Sequence, residues 1–427
     1  IKSLEKQFIA TYDKTFSKVH NFNAMVGYED YSYTYETMSG STNDMSLSSF
    51  PYLDLANKNA LAVAGNSYQN AYRSFFGRVM YNYDSRYYLQ LNAREDGSSR
   101  FHKDHRWGFF PSASVGWVIS NEKFMQNITP INYLKFRASI GTLGNERIGN
   151  YPYQTYISFN NAIMYDSAGS TPQSSMSAAQ QDYAYENIHW EKTQSWDIGV
   201  DAAFFNNRLD FSADYYYKKT KNMLMNVSFP AGAAAATSIA RNEGEMVNKG
   251  FELSISSKNL RGGAFTWDTD FNISFNRNKL TKLELQKVYY DAKTADVVND
   301  YVVRNEPGRA LGGFYGYISD GVDPETGELM YRDLNNDGKI SSSDRTYIGD
   351  PNPDFTYGMT NTFSWKGFNL SIFIQGSYGN DIYNASRIET EGMYDGKNQS
   401  TRVLNRWKIP GQITDMPKAN FKLLNST

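Results

Sequence analysis

Hydrophobic and polar residues alternate along most of the chain, and the clearest example lies between residues 75 and 119. In one run the apolar side chains are Tyr87, Leu89, Leu91 and Ala93, and the polar ones between them are Tyr88, Gln90, Asn92 and Arg94. A period of two places apolar side chains on one face of a β-strand and polar side chains on the other. A short break, Asp84-Ser85, precedes the run and a polar loop, 95–106, follows it. The segment therefore predicts a strand, a tight turn, a strand, a long loop and a further strand.

The same alternation returns in about twelve segments along the chain. The predicted strands lie within residues 7–12, 21–34, 75–83, 87–94, 112–119, 134–140, 196–204, 209–217, 251–255, 267–275, 355–365 and 368–374. Breaks of two residues, such as Asn206-Asn207 and Lys366-Gly367, are typical of β-hairpins. Many of the runs approach the ~9–11 residues with which a tilted strand crosses a bilayer.

The connections between the predicted strands are alternately short and long. The short ones are 17–20, 84–86, 206–207, 259–264 and 366–367, and the long ones are 35–71, 143–193, 219–248 and 279–354. The connection 95–110 is of medium length, and 120–132 is moderate, with room for one helical turn. An outer-membrane barrel keeps tight turns at one end and long loops at the other, which a β-sandwich has no reason to do. We therefore predict an all-β fold, a transmembrane antiparallel β-barrel over residues 1–427. The alternative is a soluble multi-domain β protein with half-exposed strands.

Composition narrows the possible partners. The chain has 427 residues and no Cys, and its 43 Lys and Arg nearly balance 45 Asp and Glu, so the charge gives no reason to expect a nucleic acid partner. No run of ~18 apolar residues predicts a membrane-spanning helix, which leaves a barrel open because its strands are only half apolar. Residue 1 lies beside a predicted strand without a Met or signal peptide, so we expect an internal segment of a longer protein.

Motifs spread over the chain resemble one family. They are NAREDGSSRF at 92–101, RWGFFPSASVGW at 106–117, WEKT at 190–193, WDIG at 196–199, FNNRL at 205–209, NKGFEL at 248–253, IGDPNP at 348–353 and FIQGSYGND at 373–381. In this order they resemble the SusC family, the TonB-dependent outer-membrane transporters of Bacteroidota. The resemblance is specific because it extends from about residue 70 to residue 385.

The resemblance implies a barrel of about 22 strands with a plug domain inside it. About twelve strands are predicted here, so the plug, the early strands and the closing strands would lie outside this segment. It further implies contact with TonB through a missing N-terminal segment, a SusD-like surface lipoprotein as partner, contact with membrane lipid, and location in the outer membrane of a Gram-negative bacterium. The expected function is import of oligosaccharides or other large nutrients. The alternatives are a peptide importer of the same family, a passive porin or surface adhesin barrel, and a secreted glycan-active enzyme.

The sharpest local motif is DLNNDGKISSSD at 333–344, which fits the calcium-loop spacing D-x-[DN]-x-[DN]-G with an acid at the twelfth place. Gly338 permits the sharp turn that such a loop needs. The predicted metal ligands are Asp333, Asn335, Asp337, the carbonyl of Lys339, and Asp344. Asp344 replaces the usual Glu and no amphipathic helix flanks the loop, so we predict a structural Ca²⁺ that stiffens loop 279–354. The alternative is an Asn/Asp/Gly-rich turn without an ion.

The charged positions of the strands follow from the same alternation. If the apolar residues face lipid, the lumen receives Arg94, Lys135, Arg137, Asp197, Asp201, Asp210 and Asp214. The same reading makes 84–85 a periplasmic turn and 95–110 an extracellular loop. Several tyrosines could stack on sugar rings or belong to an aromatic girdle: Tyr151, Tyr153, Tyr156, Tyr289 and Tyr290.

Motifs of catalysis are missing from the sequence, so no enzyme is expected. It contains no metalloprotease HExxH, no phosphate-binding glycine loop and no nucleophile elbow. His102 and His105 lie in a polar loop and are expected to be solvated. Glu389 and Glu391 could be imagined as a glycosidase pair, but nothing in the sequence orients them across a cleft.

Overall fold

A computed structural model of the chain describes residues 1–45, 49–50, 52–165, 172–180, 184–228, 238–294 and 300–420. Its strands are β1 (Lys2–Phe16), β2 (His20–Thr42), β3 (Leu61–Tyr83), β4 (Tyr87–Ser98), β5 (Trp107–Val118), β6 (Ile131–Asn145), β7 (Ile157–Tyr165), β8 (Pro172–Gln180), β9 (Glu191–Phe204), β10 (Leu209–Ser228), β11 (Ser238–Leu260), β12 (Phe265–Leu283), β13 (Tyr289–Lys293), β14 (Tyr301–Asn305), β15 (Phe314–Gly316), β16 (Ser319–Val322), β17 (Leu329–Tyr331), β18 (Thr346–Gly349), β19 (Phe355–Trp365) and β20 (Phe368–Tyr378). One short helix, α1, spans Ser386–Glu391. Short 3-10 turns occupy Leu53–Leu55, Lys58–Ala60, Ile119–Asn121, Lys123–Met125, Ser342–Asp344 and Thr401–Asn405.

Twelve of these strands form one large sheet. Its order is β1-β2-β3-β4-β5-β6-β9-β10-β11-β12-β19-β20, so most neighbours in the sheet are also neighbours in the chain. The described registers are antiparallel, for example β3 with β4 and β4 with β5. Each of the twelve predicted strands corresponds to one strand of this sheet, which confirms the predicted all-β class and strand number.

Two of the strands are far longer than predicted. β2 and β3 have 23 residues each and pair without a break from His20↔Tyr83 to Thr42↔Leu61. The predicted loop 35–71 is therefore wrong over much of its length, and the connection shrinks to residues 43–60. The added ladder mixes small residues and Gly with scattered larger side chains such as Met38 and Val63, so no sustained alternation marks it as a strand. Likewise, β10 and β11 take up most of the predicted loop 219–248.

The long connections contain small sheets of their own, which the sequence did not predict. β7 pairs with β8 between β6 and β9. Between β12 and β19, the predicted loop 279–354 begins only after Leu283 and holds a four-stranded sheet, β13-β14-β15-β18, and a hairpin, β16-β17. Most of the strands in that second connection have only three to five residues, too few for a period of two to stand out.

The short connections are tight turns, as predicted. The backbone φ angle is positive at both residues of Ser17-Lys18 (49° and 64°) and of Asp84-Ser85 (50° and 53°). The left-handed conformation at two consecutive positions is the geometry of a type I′ hairpin turn, whose twist matches that of the flanking strands. Asn206 and Asn207 have the same conformation, each with φ of 57°. The Asn-rich and Asp-containing breaks therefore form hairpins.

One face of the sheet exposes large apolar side chains. Leu91, Val115 and Ile140 are 45%, 51% and 63% exposed, although each is the apolar member of its alternating run. Their neighbours on the same face of β4 to β6, among them Leu89, Trp117 and Phe136, are exposed too. Apolar surface of this extent is unfavourable in water and is a sign of an interaction with lipid or another protein. The apolar members of the alternating runs therefore lie together on one exposed face of the sheet.

The chain divides into two compact units. The first comprises Ile1–Asn127, Lys135–Ile198 and Thr220–Glu243, and the second Ile128–Leu134, Gly199–Lys219 and Gly244–Thr427. In the first unit, Phe101, Phe110, Ile188 and Trp190 form a buried apolar cluster. The second unit holds the small sheets of the 284–354 connection. Over the described part of the chain, no helix has the length and apolar character needed to cross a membrane.

Candidate functional site

The polar face of the first unit carries a cavity of about 570 Å³ near the tight turns. Among the residues that line it are Lys135, Arg137 and Asp197, which the alternation placed on one face. The cross-strand register explains this, because Arg137 of β6 lies opposite Gly116 of β5, and Gly116 lies opposite Tyr88 of β4. The structure therefore brings these three predicted residues together.

The lining of this cavity combines apolar surface, such as Phe22 and Val115, with polar groups of both charges. Lys135 and Arg137 supply positive charge, Asp13 and Asp197 supply negative charge, and Gln90 supplies an amide. Such a surface can hydrogen-bond water or another polar surface in many orientations. The arrangement suits passage or contact of hydrated groups.

Arg94 lies on the same polar face, in a network of paired charges. Its Nε donates to Asp96 Oδ1 (2.6 Å), and its Nη2 donates to Ser74 Oγ (2.8 Å) and Glu29 Oε2 (3.2 Å). Glu29 is buried and also accepts a hydrogen bond from the Tyr72 hydroxyl (2.9 Å). Charge-assisted hydrogen bonds of this kind hold a guanidinium in one geometry. Arg94 therefore braces β2, β3 and β4 against one another.

The three remaining predicted aspartates lie in the second unit. Asp201 is on β9 and accepts a hydrogen bond from Ser212 Oγ at 2.8 Å. Asp210 and Asp214 are on β10, where Asp210 is exposed and Asp214 is half-buried. Their spacing of four residues keeps Asp210 and Asp214 on one face of the strand.

The buried cluster of the first unit is built from the family-like motifs. Phe101 is fully buried, and its ring centroid lies 5.2 Å from that of Trp190. The ring of Phe110 meets Trp190 edge-on at 5.2 Å, and Trp190 Nε1 donates to the carbonyl of Arg106 (2.8 Å). Residues of the motifs at 92–101, 106–117 and 190–193 therefore pack together into one buried core. The motifs were recognisable in the sequence, but the alternation of apolar and polar residues gave no reason to expect that they pack against one another.

The tyrosines of the 146–190 connection, considered above for sugar stacking or an aromatic girdle, have structural contacts. Their hydroxyl groups donate to backbone carbonyls: Tyr151 to Gln69 (2.5 Å), Tyr153 to Ser99 (3.4 Å) and Tyr156 to Asn150 (3.0 Å). Tyr153 also packs against the buried cluster. These side chains therefore fix the connection to the sheet and to the 99–106 loop.

Tyr289 and Tyr290 belong to β13 and pack within the small four-stranded sheet. The ring of Tyr290 lies 6.1 Å from that of Tyr301 and 6.4 Å from that of Tyr315. Burial raises the pKa of the Tyr289 hydroxyl above its ordinary value. Both residues thus contribute to the packing of a loop sheet.

The other titratable residues singled out in the sequence are held in local pairs. His102 and His105 are half-buried, not fully solvated, and His102 Nδ1 lies 3.2 Å from Asp104 Oδ2. Glu389 accepts from Tyr394 (2.6 Å) and Lys397 (2.5 Å), and the hydrogen bond to Glu389 raises the pKa of Tyr394 to about 12.

Glu391, the other member of the imagined glycosidase pair, has arginine partners. Arg387 Nε donates to Glu391 Oε2 at 2.7 Å, and Arg402 Nη1 lies 3.5 Å from the same oxygen. Both carboxylates of the imagined pair are thus committed to neighbouring side chains.

The loop 333–344 is tightly wound by hydrogen bonds from its own backbone. Asp333 Oδ1 accepts from the amide of Asn336 (2.7 Å), and Asp333 Oδ2 accepts from Gly338 (2.8 Å). Asn335 Oδ1 accepts from the amide of Asp337 (3.0 Å), whose own Oδ1 accepts from Lys339 (2.9 Å). Gly338 has φ of 77°, the left-handed turn that the motif predicts.

Asp344 closes this loop from a fully buried position. Its Oδ2 accepts from the Ser341 amide (2.7 Å) and its Oδ1 from the Leu334 amide (2.9 Å). The hydrogen bond from Ser341 lowers the pKa of this carboxyl. Among the described residues, no three or more His, Cys, Asp or Glu side chains stand together as a metal site. The Ca²⁺ assignment of Asp333, Asn335, Asp337, Lys339 and Asp344 stays a prediction.

These observations define a class of protein first. An antiparallel sheet with an exposed apolar face, a polar opposite face and tight turns at one end is part of a membrane β-barrel.

Comparison with known proteins then gives the family. Residues 3–301 match the sequence profile of the family described as TonB dependent receptor-like, beta-barrel. The chain belongs to this family, and it is accordingly part of an outer-membrane protein.

Named relatives agree with this assignment. The chain is 34% identical to TonB-dependent receptor P3 of Formosa agariphila over 96% of its own length and 42% of that protein. It is 34% identical to TonB-dependent receptor SusC of Bacteroides thetaiotaomicron over 76% of its length and 33% of that protein. The chain thus spans less than half the length of these curated relatives.

A solved structure shares the fold. The structure of the RagAB peptide transporter superposes with a TM-score of 0.84 at 27% identity, covering 99% of this chain and 46% of that one. The resemblance to the SusC family that the motifs suggested is confirmed.

Proposed function

We propose that this chain is the barrel segment of an energy-coupled importer, which carries oligosaccharides or other large nutrients across the outer membrane. The observation that carries the proposal is the family membership of residues 3–301, together with the charges paired around Arg94 on the polar face of the sheet. The partners are TonB, which acts through a segment beyond this chain, and a SusD-like surface lipoprotein. The protein is not an enzyme in this proposal.

Peptide import is the second candidate. It is favoured by the likeness to the structure described as the RagAB peptide transporter, which covers nearly the whole of this chain. The two candidates share the same route and the same coupling to TonB. They differ only in the solute.

The test of import uses cells that carry the complete protein with its neighbouring lipoprotein. Uptake of fluorescent neutral oligosaccharides and of fluorescent peptides of matched mass is measured with and without a protonophore. We expect uptake of one class and its loss when the proton gradient is dissipated. Cells in which the gene is deleted are the matched control.

Other outcomes point to other functions. Uptake that persists with the protonophore would mean a passive porin. Binding to surfaces without uptake of either class would mean an adhesin. Breakdown of a polysaccharide by the purified complete protein would mean an enzyme.

We further propose that loop 333–344 binds a structural Ca²⁺. Supporting this are three side-chain oxygens at the first, third and fifth places, the left-handed Gly338, and the way Asp344 already closes the loop. Extracellular loops of this type bind Ca²⁺ with dissociation constants of about 10⁻⁴–10⁻³ M. At about 10 mM Ca²⁺ this stabilises the loop by about 1.4–2.7 kcal/mol.

The calcium proposal is tested by titrating the complete protein, first stripped with a chelator. We expect Ca²⁺ to raise the melting temperature and to slow amide exchange across residues 333–344. Asp337→Ala should remove both effects, whereas Asp415→Ala, at an exposed aspartate elsewhere in the chain, should keep them. An unchanged melting temperature and unchanged exchange in the native protein would contradict the proposal.

A further inference from the structure

A row of tyrosines lies on the polar face of the sheet, far from the tight turns. Tyr31 and Tyr33 of β2 and Tyr68 and Tyr72 of β3 lie in the part of these strands that leads into the connection 43–60. Tyr31 stands opposite Tyr72 in the register. Tyr72 and Phe76 are four residues apart on β3, so their side chains point to the same face of the sheet. Phe76 stands opposite Arg94 in the register, and the row of tyrosines therefore shares a face with Arg94.

The rings are stacked in pairs across the two strands. Tyr31 and Tyr72 have ring centroids 4.8 Å apart and planes inclined by 22°. Tyr35 and Tyr68 are 4.9 Å apart at 23°, and Tyr33 lies 6.0 Å from Tyr68. Stacked aromatic pairs on long paired strands have little rotational freedom. The pairs therefore form a stiff platform with half-buried or exposed rings.

This platform forms one wall of a cleft of about 680 Å³, which we term the tyrosine cleft. It is lined by Tyr31, Tyr33, Tyr68 and Tyr72 with Asn70 of the same strand face, and also by Arg100, Glu146 and Asn150. The volume is in the range of small-ligand sites, about 300–1,000 Å³.

The charges at the cleft are already compensated by one another. Arg100 Nη1 lies 4.0 Å from Glu146 Oε1 and donates to the carbonyl of Glu146 at 3.2 Å. The Tyr72 hydroxyl donates to Glu29, which Arg94 neutralises. The charges at the cleft therefore sum to about zero, and a charged ligand would find no net countercharge to offset its desolvation.

Two acceptor oxygens at the cleft lack a donor. Asn150 Oδ1 and Glu146 Oε2 are buried and have no hydrogen-bond partner among the described residues. Buried acceptors without donors are unusual and call for an explanation such as a bound molecule. Both side chains line the cleft, so a rotation of the terminal group would turn each oxygen toward a donor placed there.

We infer that the tyrosine cleft binds a neutral oligosaccharide, an inference that rests on the proposed import function. A sugar ring offers an apolar face of C–H groups to the flat tyrosine rings and hydroxyl donors to Asn150 and Glu146. It carries no charge and so needs no countercharge. A peptide would bring charged termini or side chains into a cleft whose ions are paired.

The test measures binding by the complete purified protein with its lipoprotein. An array of neutral oligosaccharides and an array of peptides are probed with the labelled complex. We expect capture on the oligosaccharide array only. Tyr31→Ala should weaken binding of the captured oligosaccharide by about 5- to 140-fold, because one stacked ring contributes on the order of 1–3 kcal/mol in comparable ring-stacking sites.

Two variants separate a binding role from a folding role. Tyr31→Phe retains the ring and should bind within about threefold of the native protein, since its hydroxyl has no assigned role here. Tyr28→Ala removes a tyrosine of β2 from the opposite face, where it contacts Phe75, and should leave binding unchanged. Heat-dependent gel migration reports whether each barrel is folded.

The outcomes decide between this inference and the proposed function. Capture of peptides only, capture of no oligosaccharide, or equal binding by Tyr31→Ala and Tyr28→Ala would each overturn the oligosaccharide cleft. Protonophore-sensitive uptake of a peptide alone would support the proposed import function and contradict oligosaccharide binding in the tyrosine cleft. Protonophore-resistant uptake would contradict energy-coupled import. Oligosaccharide capture that depends on Tyr31 would still support binding in the tyrosine cleft.

Discussion

Replacement of Phe101 by Ala tests the role of the buried cluster beneath the loops. Phe101 is fully buried and lies against Trp190, with Ile188, also fully buried, in the same cluster. Truncation of a buried Phe to Ala typically destabilises by about 3–5 kcal/mol. At about 1.4 kcal/mol per tenfold, local opening should become roughly 10²–10³-fold more frequent.

Hydrogen exchange of the complete protein measures this opening directly. The amide of Ser98 donates to Arg106 at 3.2 Å, and that of Ile188 donates to Tyr185 at 3.2 Å. Peptides that contain these amides should exchange faster in Phe101→Ala by the factor given above, provided that exchange follows the open population. Strands near the tight turns should be unaffected.

Phe109→Ala is the matched control. Phe109 lies in the neighbouring motif but is 53% exposed, so its truncation should change the same exchange rates by about twofold or less. Equal acceleration in Phe101→Ala and Phe109→Ala would refute the reasoning, because the cluster would then not hold the loops. No acceleration in either variant would refute it as well.

The remaining predictions concern a glycine and a buried carboxyl. Gly108→Ala would place a Cβ 2.5 Å from the Phe110 ring and should destabilise the cluster by about 1–3 kcal/mol in the same exchange assay, whereas Gly149→Ala, which meets nothing within 4 Å, should not. The lowered pKa of Asp344 means that its contribution to stability is present above the ordinary carboxyl pKa and is lost as pH falls through the lowered value. Proteolysis of loop 333–344 in the complete protein should therefore accelerate below about pH 4, and Asp344→Asn should already be fast at neutral pH and show no acid step.

The twelve strands of the sheet were predictable because lipid imposes a simple rule on them. Residues on the lipid face, such as Leu89 and Leu91, must be apolar, whereas their neighbours Gln90 and Asn92 need not be. The sequence of the strand therefore alternates with a period of two. The turns were predictable for a local reason too, since Asn206-Asn207 tolerates left-handed backbone angles. Neither inference needs any knowledge of distant residues.

Features that depend on pairing between distant segments were missed. Residues 37–42 of β2 carry no clear alternation, and only their register with residues 61–66 of β3 makes them part of a strand. The tyrosine cleft has the same origin. The spacing of Tyr31, Tyr33 and Tyr35 marks one face of β2, but their stacking on Tyr68 and Tyr72 follows from a register set some forty residues away. The positions of the charged residues on one face were predictable, because alternate residues of a strand point to the same face.

The small sheets within the long connections make this barrel segment suitable for exchange of parts. The sheet β13-β14-β15-β18 and the hairpin β16-β17 pair only within the 284–354 connection as far as the described strands show, while β12 and β19 pair directly with each other. The connection also bonds to residues 381–418, since Trp407 Nε1 and the Lys418 amide donate to the carbonyls of Pro324 and Gly327 at 2.8 and 2.9 Å. The two parts can therefore be replaced together between relatives without breaking the ladder of β12 and β19. A lineage could change what these loops recognise while inheriting an unchanged membrane wall, and chimaeras that exchange 284–354 together with 381–418 should insert and fold like the parent.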